Sequence, residues 1–176
     1  MSGALSAAQL RALIHEVPDY PKTGINFLDI TPLLADATGF ASAVKLMSSP
    51  WQDHGVTHVV GIEARGFVLA APIAIEIAAG VVPARKVGKL PRKTHVADYE
   101  LEYGSAALEV HIDAVPPHGR VLIVDDVLAT GGTMAATIEL VKKLGCEVVG
   151  AAVLLEIASL GGRAKLGGTQ LTVALP

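Results

Sequence analysis

Val121-Leu-Ile-Val-Asp125-Asp126-Val-Leu-Ala129-Thr130-Gly131-Gly132-Thr133 is the stretch on which the fold turns. Its first four residues are apolar and three of them are β-branched. The run is too short for a helix and reads as a buried strand. Two adjacent acids end it, and a tight Thr-Gly-Gly-Thr turn follows. Met134, Ile138 and Val141 then recur at helical spacing. Lys142 and Lys143 suit the last turn of that helix, and Gly145 suits its stop. Strand, turn and helix in this order are the building unit of an α/β protein.

The same pattern extends in both directions. Upstream, Val59-Val60-Gly61-Ile62 is a short apolar run, followed by an Ala-rich stretch and then Val81-Val82. This is strand, helix, strand. Downstream, Val148 to Leu155 is continuously apolar. Continuous apolar strands interleaved with helices predict an α/β fold with a mostly parallel central sheet and helices on both faces. Two runs differ. Val96 to Tyr103 and Ala107 to Ile112 alternate polar with apolar around Gly104-Ser105, which predicts a β-hairpin flap, about residues 89–105, rather than core strands. Near the N-terminus, Ser6 and Gln9 form a capping box for a helix carrying Leu10, Leu13, Ile14 and Val17, with Pro18 as its end. Pro18 to Pro32 is turn-rich and holds Tyr20 and Phe27, and residues 1–35 are expected to form a small hood. Phe40, Ala43, Val44 and Met47 mark a second helical face, closed by Pro50.

The chain has 176 residues, which predicts one domain spanning 1–176. Apolar residues make up 51% and charged residues 18%, against about 25% charged in typical domains. That composition excludes a disordered or coiled-coil chain. It leaves little charge to cover the surface, which hints at an oligomer. A net charge of −3 and a pI near 6.0 argue against a nucleic-acid binder. One cysteine, Cys146, rules out an intrachain disulfide. No basic segment precedes an apolar run at the N-terminus, so no signal peptide is expected. The most membrane-like stretch, Gly66 to Ala84, is interrupted by Pro72, Glu76 and Pro83, and reads as a buried helix followed by a strand. A reducing, cytoplasmic location is therefore expected.

The turn after Asp126 carries chemistry. Its glycines let backbone approach a ligand closely, and its amides together with the helix start attract an anion. Thr130 and Thr133 add hydroxyl donors, so the loop suits a phosphate. Asp125 and Asp126 are acceptors, suited to vicinal hydroxyls or a hydrated metal. Phosphate and diol at the carboxyl end of a strand point to a phosphorylated ribose. No Lys follows the glycines, so this is not a Walker loop. A solvated acidic turn is the bland reading. It is disfavoured because adjacent like charges at the end of a buried strand repel.

This segment resembles the phosphoribosyl-diphosphate signature of the type I phosphoribosyltransferases. Three further motifs are similar to the adenine-using members of that family. Pro18-Asp-Tyr-Pro-Lys-Thr-Gly24-Ile-Asn-Phe27-Leu-Asp29-Ile-Thr-Pro32 resembles their base-binding segment. Gly61-Ile-Glu-Ala-Arg65-Gly66-Phe resembles their diphosphate loop. Arg85-Lys-Val-Gly-Lys89-Leu-Pro91 and Tyr99-Glu-Leu-Glu102-Tyr103-Gly104 resemble their closing flap. The likeness runs in unbroken order from Pro18 to Leu166. Leu28 departs from it, where many relatives have Arg, and so does Asn26, where an apolar residue is common.

The resemblance implies transfer of a 5-phosphoribosyl group from phosphoribosyl diphosphate to adenine, giving AMP and diphosphate. It implies Mg²⁺ held mainly by substrate and water with no direct protein ligand, and a homodimer with no nucleic-acid or membrane partner. By the same resemblance Glu102 is the catalytic acid, and Asp125 and Asp126 hold the ribose hydroxyls. Substrate-binding roles fall to Phe27, Arg65, Arg85, Lys89 and Tyr103, and to the loop Ala129, Thr130, Gly131, Gly132 and Thr133. Each has a bland counterpart: Phe27 as a core aromatic, Arg65 as a surface residue closing a turn, Glu102 as part of a solvated strand face. Arg85, Lys86, Lys89, Arg92 and Lys93 form a basic run that is usually a solvated loop, but suits a funnel for an anionic donor. Lys89 is expected to touch the diphosphate, Arg85 less so, and the rest to face solvent.

Two alternatives were open. Enzymes of the family that use 6-oxopurines often place a Lys in the strand after the phosphate helix, and Val148 to Ile157 contains none. Regulators that sense phosphoribosyl diphosphate resemble the family but add an N-terminal DNA-binding domain, for which the residues before Pro18 are too few.

Overall fold

β-Branched runs pair into strands here, and the Ala- and Leu-rich runs cover them. The computed structural model describes residues 3–100 and 105–175. In chain order the elements are α1 (Ala7–Arg11), β1 (His15–Val17), β2 (Phe27–Asp29), α2 (Thr31–Ala35), α3 (Ala37–Ser48), β3 (His58–Ile62), α4 (Arg65–Glu76) and β4 (Gly80–Lys86). They continue with β5 (Thr94–Glu100), β6 (Ser105–His111), β7 (Arg120–Leu128), α5 (Gly132–Lys143), β8 (Glu147–Glu156) and β9 (Leu171–Leu175). The main sheet has the order β5-β6-β4-β3-β7-β8-β9. From β4 to β9 its neighbours are parallel, and β5 and β6 are antiparallel. The α/β class and the mostly parallel sheet are as the sequence predicts.

Alternation along the parallel strands sorts side chains to two cores. Val59, Leu122, Val124 and Leu154 pack with Val44 and Met47 of α3 and Leu69 and Ile73 of α4. Val60, Ile62, Val121, Ile123 and Val153 face the other way, toward Met134, Ile138 and Val141 of α5. Each fully buried side chain of this size contributes about 1.5–3 kcal/mol. Among the described residues no helix is long and apolar enough to cross a membrane, and the run from Gly66 to Ala84 divides between α4 and β4.

Three sequence readings need correction. The Ser6–Gln9 capping box is present, but the helix ends at Arg11 and does not reach Pro18. His15–Val17 instead pairs antiparallel with Phe27–Asp29. A proline disfavours helical backbone in the residue before it, so Val17 is pushed toward an extended conformation, and the second strand captures it. The hairpin forms in the predicted place, with Thr94–Glu100 antiparallel to Ser105–His111. It is not separate from the core, however. β6 pairs with the end of β4 through Arg85↔Glu109 and Lys86↔Leu108, and Ala97, Leu108 and Val110 are buried in the same cluster as α5. Polar–apolar alternation marks a strand with one covered face, and α5 covers it. Lys143 of α5 also donates from Nζ to the Val96 carbonyl at 2.6 Å. Finally, β9 at the sheet edge, parallel to β8, was not read from the sequence.

The parallel pairing places the site. β3 and β7 are neighbours in register Gly61↔Val124. β3 ends at Ile62, but β7 does not end at its acids as the sequence suggested and runs on to Leu128. The segment Glu63–Arg65 after β3 therefore comes beside Asp125–Asp126 within β7. α4 begins there, and at Gly66 a Cβ would meet the Val124 carbonyl at 2.8 Å. Only glycine lets the first turn of α4 approach β7 so closely.

Candidate active site

Asp125 and Asp126 sit where β7 runs past the start of α4. Asp126 is 5% exposed, and its carboxylate forms an ion pair with Nε of Arg65. Asp125 accepts from the Asp126 amide at 2.9 Å through Oδ1. Burial pushes the Asp125 carboxyl well above the ordinary aspartate range, and the neighbouring Asp126 charge adds to the rise. The pair therefore holds one acid braced by a cation and one strained toward its neutral form.

Beyond them the chain turns sharply. Gly131 has φ +78°, in the left-handed region, and precedes Gly132 at the first position of α5. No side chain caps that helix, so its first amides stay available to an anion. A Cβ on Gly131 would lie 2.4 Å from the Gly162 carbonyl, so the turn is held from outside by the segment after β8. Asp125, Ala129, Thr130, Gly131, Thr133 and Met134 line a small recess at this turn. It adjoins a cavity of about 500 Å³ whose walls include Asn26, Phe27, Leu28, Glu63, Ala64, Arg65, Lys86, Tyr99, Asp125, Asp126, Val127, Ala129, Thr133 and Ile157.

The hood closes one wall of that cavity. In the β1–β2 ribbon the Phe27 ring meets the edge of Tyr20, with centroids 5.2 Å apart. The Arg65 guanidinium lies 5.2 Å from the centroid of the same ring, a cation–π contact that ties hood to sheet. Asn26 donates to Glu16 at 2.9 Å. Asp29 accepts from both the amide and the hydroxyl of Thr31, and these bonds hold its carboxyl below the usual range.

Phe27, Arg65, Asp125, Asp126, Ala129, Thr130, Gly131 and Thr133 thus gather around adjoining spaces, with Gly132 at the same turn. Arg85 and Lys89 stand apart, on β4 and the turn after it. Arg85 is braced: its Nε donates to Glu63 at 3.3 Å and its Nη1 to the Lys89 carbonyl at 3.2 Å. Lys86, read from the sequence as a solvent-facing bystander, is exposed but lines the cavity. Glu102 and Tyr103 lie outside the described residues. Sequence reasoning missed Glu63, Val127, Ile157 and Gly162 as contributors. The Gly161-Gly162 doublet was a legible signal of close backbone approach, whereas the two aliphatic residues looked like any strand residue.

A family model for the phosphoribosyl transferase domain matches residues 26–165. An adenine phosphoribosyltransferase from Yersinia pestis (strain Pestoides F) is 48% identical over 169 residues, covering 94% of this chain and 90% of its own length. The crystal structure of adenine phosphoribosyltransferase from Rhodothermus marinus DSM 4252 superposes with a TM-score of 0.91 at 47% identity, covering 96% of each chain. The Saccharomyces cerevisiae enzyme, complexed with an imino-altritol bisphosphate and adenine, superposes with a TM-score of 0.91 at 34% identity, covering 96% of this chain and 98% of its own.

Proposed function

The chain belongs to the phosphoribosyltransferase family, and from that membership we propose that it transfers the 5-phosphoribosyl group of phosphoribosyl diphosphate to adenine. AMP and diphosphate are the products, and the role is purine salvage. The observation that carries this reading is the meeting of three parts around one cavity and its adjoining recess: the acids within β7, the Thr-Gly-Gly-Thr turn, and the hood segment around Phe27.

The residues divide the work by their chemistry. The turn from Ala129 to Thr133 anchors the 5′-phosphate through amides and hydroxyls. Arg65 takes the diphosphate and releases Asp126 to the ribose hydroxyls. Arg65 exchanges one anionic partner for another, and the ribose hydroxyls replace the guanidinium as hydrogen-bond donors to Asp126, so neither group is left unpaired. N9 of adenine attacks C1′ as the C1′–O bond to diphosphate breaks and the N9 proton is lost. Asp125 and Asp126 stabilise the positive charge that grows on the ring. The base lies against the hood wall at Phe27, opposite Val127 and Ile157. Glu102, from the flap, serves as the acid that stabilises charge displaced toward N7. Lys89, Arg85 and Tyr103 complete donor binding, and flap closure excludes water from the cation-like centre.

Mg²⁺ is the cation that this reading requires. Two adjacent carboxylates are hard oxygen donors of the kind Mg²⁺ accepts, usually together with substrate phosphates and water. Among the described residues no group of three His, Cys, Asp or Glu could hold an ion unaided. Asp125 and Asp126 would therefore hold it through water and ribose oxygens, where it would supply positive charge against the leaving diphosphate. The proposal includes a cytoplasmic homodimer; the low charge content and the exposed Val68 and Ile75 of α4 support the assembly.

The test is a panel of adenine, hypoxanthine, guanine and xanthine with donor and Mg²⁺, read as nucleotide formed. Adenine should be used and the 6-oxopurines rejected, since mismatched hydrogen-bonding groups can cost factors of about 10⁴. Comparable nucleotide formation from hypoxanthine would overturn the assignment.

A further inference from the structure

Glu109 lies in the middle of β6 between Leu108 and Val110, and all three are buried, at 4%, 1% and 0% exposure. Leu108 and Val110 face α5. Alternation sends Glu109 to the opposite face, where the turn between β4 and β5 covers it. A buried carboxylate is costly unless donors surround it. Here Oε1 accepts the amides of Lys89 and Leu90, each at 2.9 Å, and Oε2 accepts the Thr94 hydroxyl at 3.1 Å. Burial raises this carboxyl, but the donors outweigh it and hold the group below the usual glutamate range. The acceptor is thus ionised at neutral pH.

The register shows what this carboxylate does. Glu109 stands opposite Arg85 on β4 and Val96 on β5. It therefore sits where the chain leaves the sheet and returns, and holds both ends of that excursion. The Lys89 backbone is fixed from two sides, its amide by Glu109 and its carbonyl by Arg85. Arg85 is held in turn by Glu63, which also accepts the Lys86 amide at 2.9 Å. Glu63 is two residues before Arg65. Two carboxylates packed against the basic run, Glu63 and Glu109, thus accept backbone amides of Lys86, Lys89 and Leu90, and Glu63 also pairs with Arg85. Lys86 and Lys89 have no side-chain ion pair with another described residue.

We propose that Glu109 is a positioning residue for the phosphoribosyl diphosphate site, fixing the Lys89 backbone so that its ammonium is presented to the donor. It touches no substrate and acts through Lys89. The proposal rests on the reading of Lys89 as a donor contact.

Steady-state kinetics with both substrates varied tests it, alongside thermal melting. Glu109→Ala should raise the donor KM roughly tenfold, with kcat and the adenine KM within about twofold, because a ground-state contact is weakened. Glu109→Gln should recover most of the loss, since its amide oxygen can still accept both backbone amides. Glu109→Asp should not recover it, because the carboxylate is withdrawn by about 1.5 Å, one carbon–carbon bond. If Glu109→Ala does not fold, Glu109→Asp against Glu109→Gln carries the same comparison. Lys89→Ala is measured in parallel, and the double variant should be little worse than the poorer single one. If Lys89→Ala raises the donor KM and Glu109→Ala does not, the positioning role is wrong. If Lys89→Ala leaves the donor KM unchanged, the Lys89 reading fails and the proposal falls with it. Equal losses in kcat and both KM values would mark Glu109 as a purely structural residue and also overturn the proposal.

Discussion

Asp125 stands at a position where its proposed role opposes stability. Its folded pKa is raised, so the native state binds the proton more tightly than the unfolded chain. Stability from this group then falls as pH rises. The penalty is absent below the unfolded value of about 3.8 and complete above the folded one. Asp125→Asn keeps an oxygen for the Asp126 amide and removes the charge. It should melt higher than the parent protein at pH 7, with the difference closing as pH falls toward 4, while kcat drops by about 10²-fold. Melting curves across pH and initial rates check both halves, and an unchanged melting temperature at pH 7 would discount burial as the source. Gly131 makes a steric argument. A Cβ there lies 2.4 Å from the Gly162 carbonyl at φ +78°, and left-handed backbone alone costs a non-glycine residue about 1–2 kcal/mol. Gly131→Ala should lose stability of at least that size and raise the donor KM, read by denaturant unfolding and kinetics. The need for glycine was legible in the sequence, but its partner 31 residues away was not.

The hairpin β5–β6 is half core and, in the proposed function, half working surface. Leu108 is 1% exposed against α5. Leu108→Ala should therefore cost about 2–5 kcal/mol in denaturant unfolding, whereas a detached flap would lose almost nothing. The segment joining the two strands carries Glu102. Glu102→Leu should cut kcat strongly with little change in donor affinity, and Glu102→Gln should fall between, since an amide donates a hydrogen bond but transfers no proton. Normal turnover by Glu102→Leu would move the acid elsewhere. Arg92 pairs with Asp113 at the surface, and exposed pairs of this kind contribute only about 0–1 kcal/mol. Trypsin is therefore expected to cut at Arg92 or Lys93. Donor with Mg²⁺ should slow cleavage there, and indifference to donor would count against closure. Alternation in the sequence marked this hairpin. It could not say that β4 and α5 would draw it into the sheet.

For the molecule as a whole the open question is assembly. Val68 and Ile75 lie seven residues apart on one face of α4 and are 44% and 81% exposed, and Val81 on β4 is 52% exposed. Exposed apolar residues on one helix face mark a contact surface when they are contiguous. Sedimentation at micromolar concentration should report about twice 18.1 kDa, and Ile75→Asp should shift the mass toward one chain. A parent mass near 18.1 kDa would remove the homodimer from the proposal.

Local chemistry decided the parts that short stretches of chain can encode. The apolar runs ending at Ile62 and Val124, the glycine turn, the paired acids and the alternating hairpin all declare themselves within a dozen residues, because strand period, backbone freedom and charge repulsion act over that range. Those same residues predicted the parallel sheet that the structure shows and placed the proposed phosphoribose site at the carboxyl-end side of its central strands. What the chain could not announce locally depends on contacts between distant segments. The fate of His15–Val17 was set by a strand ten residues on, against its helical spacing. Gly162 acts on Gly131, Arg65 on Asp126, and Glu109 on Lys89 only after β3, β4, β6 and β7 have paired. A buried carboxylate in β6 is a fault in the sequence pattern until folding supplies the amides that make it a support.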